Sequence, residues 1–538
     1  MEHRPNIIFI MVDQLGAAEL HCYGGEVCST PTIDHLASRG VRFDRCYASS
    51  PLCAPSRATF LTGRSPEIHG ITDNNLVLRA VEWANGAPTY AHVLQKAGYK
   101  TGGFGKFHVS PMQSPEPPDL RSVGFDEVVI TEDPKLGSWL DWIEREYPEH
   151  YRTALAMCWP MPYITQYGKE GRNLWNEWRQ AHEEIILPLQ SSSPWSVMYP
   201  SPLPKELHQT TFITNEALRF MQTHVQEQPD SPFFCKISYV DPHDPYDPPA
   251  PYDSLFHPDD MPDPIPAAVR HYESSILEDS KRFNGFDALI GNLQSLKQLR
   301  ALYHGSLRFI DDQIARIVRW LDETGLCEDT ILVFTSDHGE MLGDHELITK
   351  GAKHYDKGIR CPLIVCGTGI MPKVTDRLTC TLDFFPTLCD WGMADSRPPL
   401  EGRSFAAACK SDDNETFHTE WDDVLIQGLD HRGLITSDRW RLTMYFDGEG
   451  HQMHDLHNDP TEQQNLYAVV DWSWKRQELM ERMIYAMMRS GRTQQYENLP
   501  IQEGMKCLVD EFTFIPLLEP RNVDTNDNRR GGHACETA

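Results

Sequence analysis

The sequence predicts an α/β fold with a mostly parallel central sheet flanked by helices, followed by a smaller C-terminal α+β domain that carries an antiparallel sheet. Three observations support this prediction. Apolar runs rich in β-branched residues recur along the chain, amphipathic helical patterns lie between them, and near residue 415 the pattern changes to short alternating segments around a turn. Strands that alternate with helices are typical of parallel sheets covered by helices.

Four apolar runs have the composition of buried strands. They are residues 6–12 (NIIFIMV), 232–240 (PFFCKISYV), 330–336 (TILVFTS) and 361–367 (CPLIVCG). Helical periodicity is clearest over residues 298–324, where apolar side chains recur on one face and Gly325 provides a C-terminal stop. Ligands of such sheets bind at the carboxyl ends of the strands, so we expect the functional site there.

The length of 538 residues is too great for a single compact core. We predict a catalytic α/β domain over residues 1–414, a small α+β domain over 415–515, and a polar tail over 516–538 that is disordered or serves as an oligomer arm. A tryptophan-rich insertion at about 135–205 interrupts the α/β pattern. This insertion is either a cap or substrate wall, or a helical excursion whose indoles pack against the core.

Composition limits the partners and the compartment. The net charge of −29 argues against nucleic acid or an anionic membrane as a partner, and no stretch approaches the roughly 20 apolar residues of a membrane helix. Fourteen cysteines occur without a CxxC pair, which is typical of reduced thiols. The apolar run at residues 7–12 is too short for a secretory signal, so we expect a cytoplasmic protein.

Two of the predicted strands are followed by acidic residues. Asp13 and Gln14 come after the strand at 6–12, and Asp337 and His338 come after the strand at 330–336. At the shared carboxyl edge of a parallel sheet these side chains could form one site. Oxygen donors with one imidazole suit Ca²⁺ or Mg²⁺ better than a metal that prefers thiolates. Taken alone, an aspartate after a strand is also a common helix cap.

Cationic and imidazole side chains lie in the loop-like stretches nearby. They are Arg57, Lys106, His108, His243 and Lys350. In an extended segment Lys106 and His108, two residues apart, would project to the same face. Each of the five could be a solvated surface charge when taken singly. Together, around a divalent metal, they would bind a tetrahedral oxyanion and stabilise its changing charge.

The stretch PLCAPSRATFLTGR at residues 51–64 places a cysteine just before the start of a predicted helix. From the residues alone, Cys53 could be a buried apolar residue, a disulfide partner, a nucleophile, a metal ligand or the precursor of a modified residue. The sequence lacks a GxSxG elbow, a P-loop, an HExxH motif and paired CxxC ligands. Serine-hydrolase, nucleoside-triphosphatase and zinc-protease functions are therefore disfavoured.

The pattern C-x-P-S-R-x-x-x-L-T-G from Cys53 to Gly63 resembles the maturation signature of the type I, formylglycine-dependent sulfatases of the alkaline phosphatase superfamily. Other motifs follow in the order typical of that family: G-K-x-H at 105–108, P-H-x-P at 242–245, S-D-H-G-E-x-L-G-D at 336–344, K-G-x-x-x-Y-D at 350–356, and a D-L-x-x-D-P-type pattern at 455–466. The resemblance covers nearly the whole chain except the tryptophan-rich insertion and the tail. It implies an alkaline-phosphatase-like fold.

The resemblance also implies the cofactors. Cys53 would be oxidised by a formylglycine-generating maturation enzyme to Cα-formylglycine, whose hydrated aldehyde is the nucleophile. One divalent metal would be bound together with an oxygen of the modified residue, and its protein ligands would be Asp13, Gln14, Asp337 and His338. Oxygen-rich ligation favours Ca²⁺, with Mg²⁺ and Mn²⁺ as alternatives.

The remaining roles are likewise implied by the resemblance. Arg57 would stabilise the hydrated aldehyde, and Lys106 and Lys350 would bind the oxyanion. His243, helped by Lys350, would protonate the leaving alcohol. His108 would then deprotonate the second hydroxyl, which releases sulfate and regenerates the aldehyde.

The implied activity is that of a sulfuric ester hydrolase acting on a small-molecule or saccharide sulfate ester. Asp13-Gln14 departs from the Asp-Asp of many sulfatases and resembles the choline-sulfatase and phosphonate monoester hydrolase branches. Ser56, in contrast to the phosphonate branch, is the choice typical of sulfatases. MPDPI at 261–265 also resembles the phosphonate hydrolases. A phosphonate monoester or phosphodiester hydrolase is therefore the alternative. A non-catalytic glycan-binding protein, a thiolate phosphatase using unmodified Cys53, and a homo-oligomeric assembly also stay open.

Overall fold

Two β-sheets and the helices around them make up the described part of this computed structural model, which comprises residues 4–74, 88–109, 123–159, 162–168, 171–190, 197–267, 274–282, 286–395, 397–398, 400–410 and 423–490. The strands are β1 (Asn6–Val12), β2 (Val41–Tyr47), β3 (Lys100–Gly105), β4 (Glu127–Ile130), β5 (Phe233–Tyr239), β6 (Thr330–Ser336), β7 (Arg360–Gly367), β8 (Lys373–Thr375), β9 (Thr379–Cys380), β10 (Val424–Gln427), β11 (His431–Ile435), β12 (Trp440–Tyr445) and β13 (Gln452–Asp455).

The α-helices flank these sheets. They are α1 (Pro31–Arg39), α2 (Cys53–Thr62), α3 (Pro66–His69), α4 (Tyr90–Lys96), α5 (Ser138–Glu146), α6 (Tyr151–Met157), α7 (Trp175–Ala181), α8 (Gln209–Glu227), α9 (Ser275–Arg282), α10 (Phe286–Ile290), α11 (Leu293–Thr324), α12 (Asp356–Ile359), α13 (Phe384–Trp391), α14 (Ala406–Lys410) and α15 (Ser473–Arg489). Among the described helices, none is both long and apolar enough to cross a membrane.

The central sheet has the strand order β4-β3-β5-β1-β6-β7-β2-β8, with β9 beside β2. β1 lies in its middle and pairs in parallel with both β5 and β6. β7 is the exception, since it runs antiparallel to both of its neighbours. The mostly parallel sheet and the four predicted strands are thus confirmed. Every residue of β5 and β6 is buried, which explains their continuous apolar sequences.

β3 is a strand that the apolar pattern does not reveal, because its sequence KTGGFG contains three glycines. Two of these glycines are required by close packing. A Cβ on Gly102 would come within 2.8 Å of the Phe220 ring, and a Cβ on Gly103 would come within 2.5 Å of the Phe107 ring. Strand formation here is therefore decided by tertiary packing and not by local propensity.

The smaller sheet is antiparallel, in the order β10-β11-β12-β13, and its face packs against α15. Leu434 and Leu442 of the sheet share a buried cluster with Leu479 and Met483 of the helix. This confirms the predicted C-terminal antiparallel sheet. The boundary at residue 414 and the tail at 516–538 lie outside the described residues, so the division into domains stays a prediction.

The tryptophan-rich insertion is helical and has a core of its own. Trp139 of α5 is fully buried in a cluster with residues of α6, and its indole N–H donates to the carbonyl of Leu207 at 2.9 Å. Trp175 is 41% exposed on α7. Trp195 lies outside the described residues. Packing therefore accounts for some of these indoles, whereas Trp159 lies close to a candidate catalytic side chain, as described below.

The long helix begins earlier than its periodicity predicts. α11 starts at Leu293 because the side chain of Asn292 accepts the backbone N–H of Ser295 at 3.1 Å, which caps the first turn. Gly325 ends the helix in a left-handed conformation (φ 71°) and donates to the carbonyls of the last turn. The predicted stop is therefore confirmed.

A buried aromatic cluster joins β1 to the helix that begins at Cys53. The ring centroid of Phe60 in α2 lies 5.9 Å from that of Phe9 in β1 and 4.7 Å from that of Phe384 in α13.

We expect Phe60→Ala to reduce the stability of the fold by about 3–5 kcal/mol through loss of packing and creation of a cavity. Phe446→Ala, at a side chain that is 63% exposed, is the matched control and should change it little. Equal shifts in melting temperature for the two variants would contradict this assignment of the core.

Candidate active site

The carboxyl ends of β1 and β6 bring the two predicted acidic positions together. Val12 pairs with Ser336 at the last register position of the two strands, so Asp13 and Asp337 leave the sheet side by side. Helix α2 approaches the same edge, because the hydroxyl of Ser56 donates to the carbonyl of Asp337 at 2.8 Å. The site is therefore assembled from two strands and one helix that are distant in sequence.

Four side chains present ligand atoms to one point at this edge. One atom each of Asp13, Cys53, Asp337 and His338 lie within 4.8 Å of one another, and all four side chains are buried. Cys53 Sγ is 3.1 Å from His338 Nε2, while His338 Nδ1 faces the carbonyl of Gly339. The Asp13 Oδ1 atom has no hydrogen-bond partner although it is buried. A buried, unpaired carboxylate oxygen within this donor set fits a hard divalent cation.

Gln14 is the fifth predicted ligand. Its backbone adopts a left-handed conformation (φ 60°), and its N–H donates to Asp337 Oδ1 at 3.1 Å. Its side-chain oxygen accepts a hydrogen bond from Lys350, and its amide nitrogen donates to Glu340. The amide oxygen thus lies on the side of the site that carries positive charge.

Arg57 is fully buried beneath the ligand cluster. Its Nε donates to Asp337 Oδ2 at 2.7 Å and its Nη2 to Asp13 Oδ2 at 3.0 Å. Its Nη1 donates to the carbonyl of Lys106 at 2.8 Å and to Ser238 Oγ at 2.9 Å. The guanidinium therefore holds both acids in place, and these four hydrogen bonds fix its plane.

Lys106 lies between two carboxylates. Its ammonium contacts Asp13, and it also contacts Asp133, a residue that the sequence analysis missed. Burial opposes the charged form, but Asp13 and Asp133 hold the pKa of Lys106 well above its ordinary value. Asp133 follows strand β4 within the sequence TED, so its position after a strand was the available signal.

His108 faces the same acid. Its Nδ1 lies 3.9 Å from Asp133 Oδ2, so Lys106 and His108 are brought to one side, as predicted. The reason is different from the predicted one, because His108 has a φ of 49° and the segment is not extended. Glu132 fixes this turn by accepting the backbone N–H groups of Phe107 and His108 at 3.1 and 2.9 Å.

His243 and Lys350 form a contact pair. Lys350 Nζ is 2.6 Å from His243 Nε2, and His243 Nδ1 is 2.7 Å from the carbonyl of Asp244. His243 Nε2 therefore faces the Lys350 ammonium, while its Nδ1 faces a carbonyl. Burial and Lys350 lower the pKa of His243, but the carboxylates of Asp244 and Asp133 outweigh them and raise it to about 9. Trp159 stands beside this pair, with its ring centroid 6.3 Å from that of His243.

The cysteine is held in an electropositive position. Cys53 is the first residue of the fully buried helix α2, so the positive end of the helix points toward its side chain. Burial alone would raise the pKa of the Cys53 thiol, but Lys106 and Lys350 hold it well below its ordinary value. An oxyanion at this position would be stabilised by the same charges.

Comparison with known proteins agrees with this architecture. The Sulfatase family model matches residues 5–393, and the model for the C-terminal part of N-sulphoglucosamine sulphohydrolase matches 343–489. An arylsulfatase of Clostridium perfringens is 31% identical over 473 residues, which are 86% of this chain and 90% of that protein. A choline-sulfatase of Rhizobium meliloti is 28% identical and covers 96% of this chain and 98% of its own. The crystal structure of a phosphonate monoester hydrolase of Agrobacterium radiobacter superposes with a TM-score of 0.71, at 24% identity, over 90% of this chain and 96% of that one.

The mostly parallel sheet, with the site at the carboxyl ends of its strands, is an alkaline-phosphatase-like fold. Within this fold class the chain belongs to the sulfatase family, and it is a sulfatase-type hydrolase. The resemblance found in the sequence motifs is thereby confirmed.

The ligand set leads to a test that does not depend on turnover. Adding Ca²⁺ to enzyme stripped with a chelator should raise the melting temperature, since only the folded chain assembles these donors; saturation at 100 times the Kd corresponds to about 2.7 kcal/mol. Asp13→Asn should abolish most of the shift. Asp311→Asn is the control, because Asp311 is a buried acid that binds the N–H groups of Thr32 and Ile33. A full Ca²⁺ shift in Asp13→Asn would contradict this ligand assignment.

Proposed function

We propose that the protein hydrolyses an organic sulfate monoester to an alcohol and sulfate, with Cys53 matured to Cα-formylglycine as the nucleophile. The observation that carries this proposal is the position of Cys53, at the start of a buried helix, with Sγ 3.1 Å from His338 and positive charge around it. Maturation by a formylglycine-generating enzyme explains why a cysteine is followed here by Pro55 and Arg57. The hydrated aldehyde supplies one oxygen that attacks sulfur and a second hydroxyl whose deprotonation releases sulfate.

The proposed metal is one divalent cation, Ca²⁺ in preference to Mg²⁺ or Mn²⁺, bound by Asp13, Gln14, Asp337 and His338. When bound, it polarises an ester oxygen and favours the ionised form of the nucleophile. Arg57 stabilises the hydrated aldehyde in this proposal, and it also holds the carboxylates of Asp337 and Asp13 at 2.7 and 3.0 Å. The support for the metal is the unpaired Asp13 oxygen and the oxygen-rich donor set.

Each of the remaining side chains receives a role from its contacts. Lys106 and Lys350 bind the oxygens of the sulfate group. Protonated His243, helped by Lys350 at 2.6 Å, gives its proton to the leaving alcohol. His108 takes a proton from the second hydroxyl. Asp133, which contacts Lys106 and faces His108, orients both.

The alternative is a phosphonate monoester or phosphodiester hydrolase with the same nucleophile. Two sequence features favour it: Gln14 after Asp13, which resembles the phosphonate monoester hydrolase as well as the choline-sulfatase branch, and MPDPI at 261–265, which resembles the phosphonate hydrolases. The likeness of fold to a phosphonate monoester hydrolase agrees with it. The two proposed activities use the same active-site residues. The alcohol of the substrate, small or saccharide, would be selected by the side chains around Trp159.

A paired substrate measurement distinguishes the two activities. Enzyme co-expressed with a formylglycine-generating system, with conversion of Cys53 checked by peptide mass, should have a higher kcat/KM for para-nitrophenyl sulfate than for para-nitrophenyl phenylphosphonate. Cys53→Ala should lose both activities, because it cannot form the aldehyde. Cys327→Ala is the control, since this half-exposed thiol lies outside the site. A preference for the phosphonate would favour the alternative substrate, and full activity in Cys53→Ala would overturn the nucleophile.

The leaving-group side is tested through His243. Its protonated form is the active one, so kcat/KM should fall as pH rises through about 9. His243→Ala should lose about 10²–10⁴-fold activity toward an alkyl sulfate, whose leaving alcohol needs a proton, and much less toward para-nitrophenyl sulfate. His257→Ala, at a side chain 69% exposed, should behave as wild type. An equal loss with both leaving groups would rule out proton donation by His243.

A further inference from the structure

Glu340 is a buried carboxylate of the site to which no role has yet been assigned. Its side chain is fully buried and lies two residues after His338. One oxygen, Oε1, accepts the backbone N–H groups of Leu342, at 2.9 Å, and of Thr349. The other oxygen, Oε2, accepts the side-chain amide N–H of Gln14. All of its described hydrogen bonds are therefore those of an acceptor.

The amide of Gln14 is fixed at both of its ends. Its nitrogen donates to Glu340 and lies 3.4 Å from the hydroxyl of Tyr246. Its oxygen accepts from the ammonium of Lys350. Rotating the amide by half a turn would set its oxygen against the Glu340 carboxylate and its NH₂ group against the Lys350 ammonium. Both new contacts would be repulsive, so a single orientation is selected.

We propose that Glu340 is a positioning residue that holds the Gln14 amide by its nitrogen, so that the amide oxygen, which accepts from Lys350, faces the site and can serve as a ligand. This inference rests on the proposed function, since it takes Gln14 to be a metal ligand. The same carboxylate also fixes the loop that carries Lys350, through the N–H of Thr349, the residue before it. One buried carboxylate, Glu340, therefore positions both the proposed metal ligand Gln14 and the loop of the oxyanion-binding Lys350.

The pairing also accounts for the amide at position 14. A carboxylate there would face the carboxylate of Glu340 within a buried, low-dielectric region, and two like charges at hydrogen-bond distance are unfavourable. An amide instead gives the N–H that Glu340 requires and keeps an oxygen for the metal. Gln14 is thus the hydrogen-bond donor and Glu340 the acceptor of one pair. A change of either residue alone would lose a hydrogen bond.

A double-mutant cycle tests this pairing with calcium affinity as its readout. The full chain is stripped with a chelator and titrated with CaCl₂ in a calorimeter. We expect Glu340→Gln and Gln14→Glu each to weaken Ca²⁺ binding by about 10–100-fold. An amide at position 340 cannot accept hydrogen bonds from both the Gln14 amide and the backbone N–H groups, and a glutamate at position 14 would set two carboxylates against each other. The double variant Gln14→Glu/Glu340→Gln restores one donor and one acceptor, and should recover most of the affinity.

Glu462→Gln is the matched control. Glu462 is also a buried glutamate, but it binds Arg441 and the N–H of Asp356 outside the ligand cluster. This variant should leave the Ca²⁺ affinity unchanged even if its melting temperature falls. A structural role of Glu340 alone would lower the melting temperature of Glu340→Gln without affecting the calcium titration.

Different results would contradict the proposed metal and the role of Glu340. Wild-type enzyme that binds neither Ca²⁺, Mg²⁺ nor Mn²⁺ would overturn the proposed metal, and the role of Glu340 with it. Normal wild-type binding with unchanged affinity in Glu340→Gln would overturn only the role of Glu340. If Glu340→Gln fails to fold, the comparison of Gln14→Glu with the double variant decides, because a double variant no tighter than Gln14→Glu contradicts the pairing.

Discussion

The structure depends on one buried ionic contact, in which Arg57 binds Asp13 and Asp337 at the end of the central sheet. Placing charges in a protein interior costs several kcal/mol for each ion, and the cost is recovered only with good geometry and further hydrogen bonds. These conditions are met because β1, β6 and α2 each deliver one member of the contact. The contact in turn fixes the ends of the strands and the start of the helix, and these carry the reactive side chains.

The same contact explains how negative and positive groups coexist at the site. Lys106 is compensated by Asp13 and Asp133, so it adds little net charge of its own. Lys350 instead has no direct carboxylate contact among the described residues, and its ammonium meets the Gln14 oxygen and the His243 ring. Positive charge without a directly paired carboxylate therefore lies on the side of Lys350, near Cys53 at the start of α2. An incoming oxyanion meets charge that is already in place, which requires no reorganisation during the reaction.

Much of the fold could be predicted from the sequence, because buried strands such as β1 and β6 are continuous apolar runs. β3 could not, since Gly102 and Gly103 are required by packing against distant rings. The antiparallel direction of β7 is also decided by tertiary pairing. At the site, acids after strands and a histidine between prolines can be recognised as candidate site residues from the neighbouring sequence. Asp133 is also an acid after a strand, but its strand β4 is not among those predicted, and the role of Glu340 arises only when separate loops meet.

The geometry of the anion-binding side has a consequence for substrate choice. Sulfate and phosphonate monoesters present similar tetrahedral oxygens and the same single negative charge to Lys106 and Lys350, so these lysines separate the two classes only weakly. The Gln14 amide makes the ligand set one charge less negative than a second aspartate would, and both anions benefit from that change. Discrimination must then come from the group attached to sulfur or phosphorus. Trp159 of the tryptophan-rich insertion lies beside His243, with ring centroids 6.3 Å apart, so the insertion reaches the side of the site on which the proposed proton donor lies.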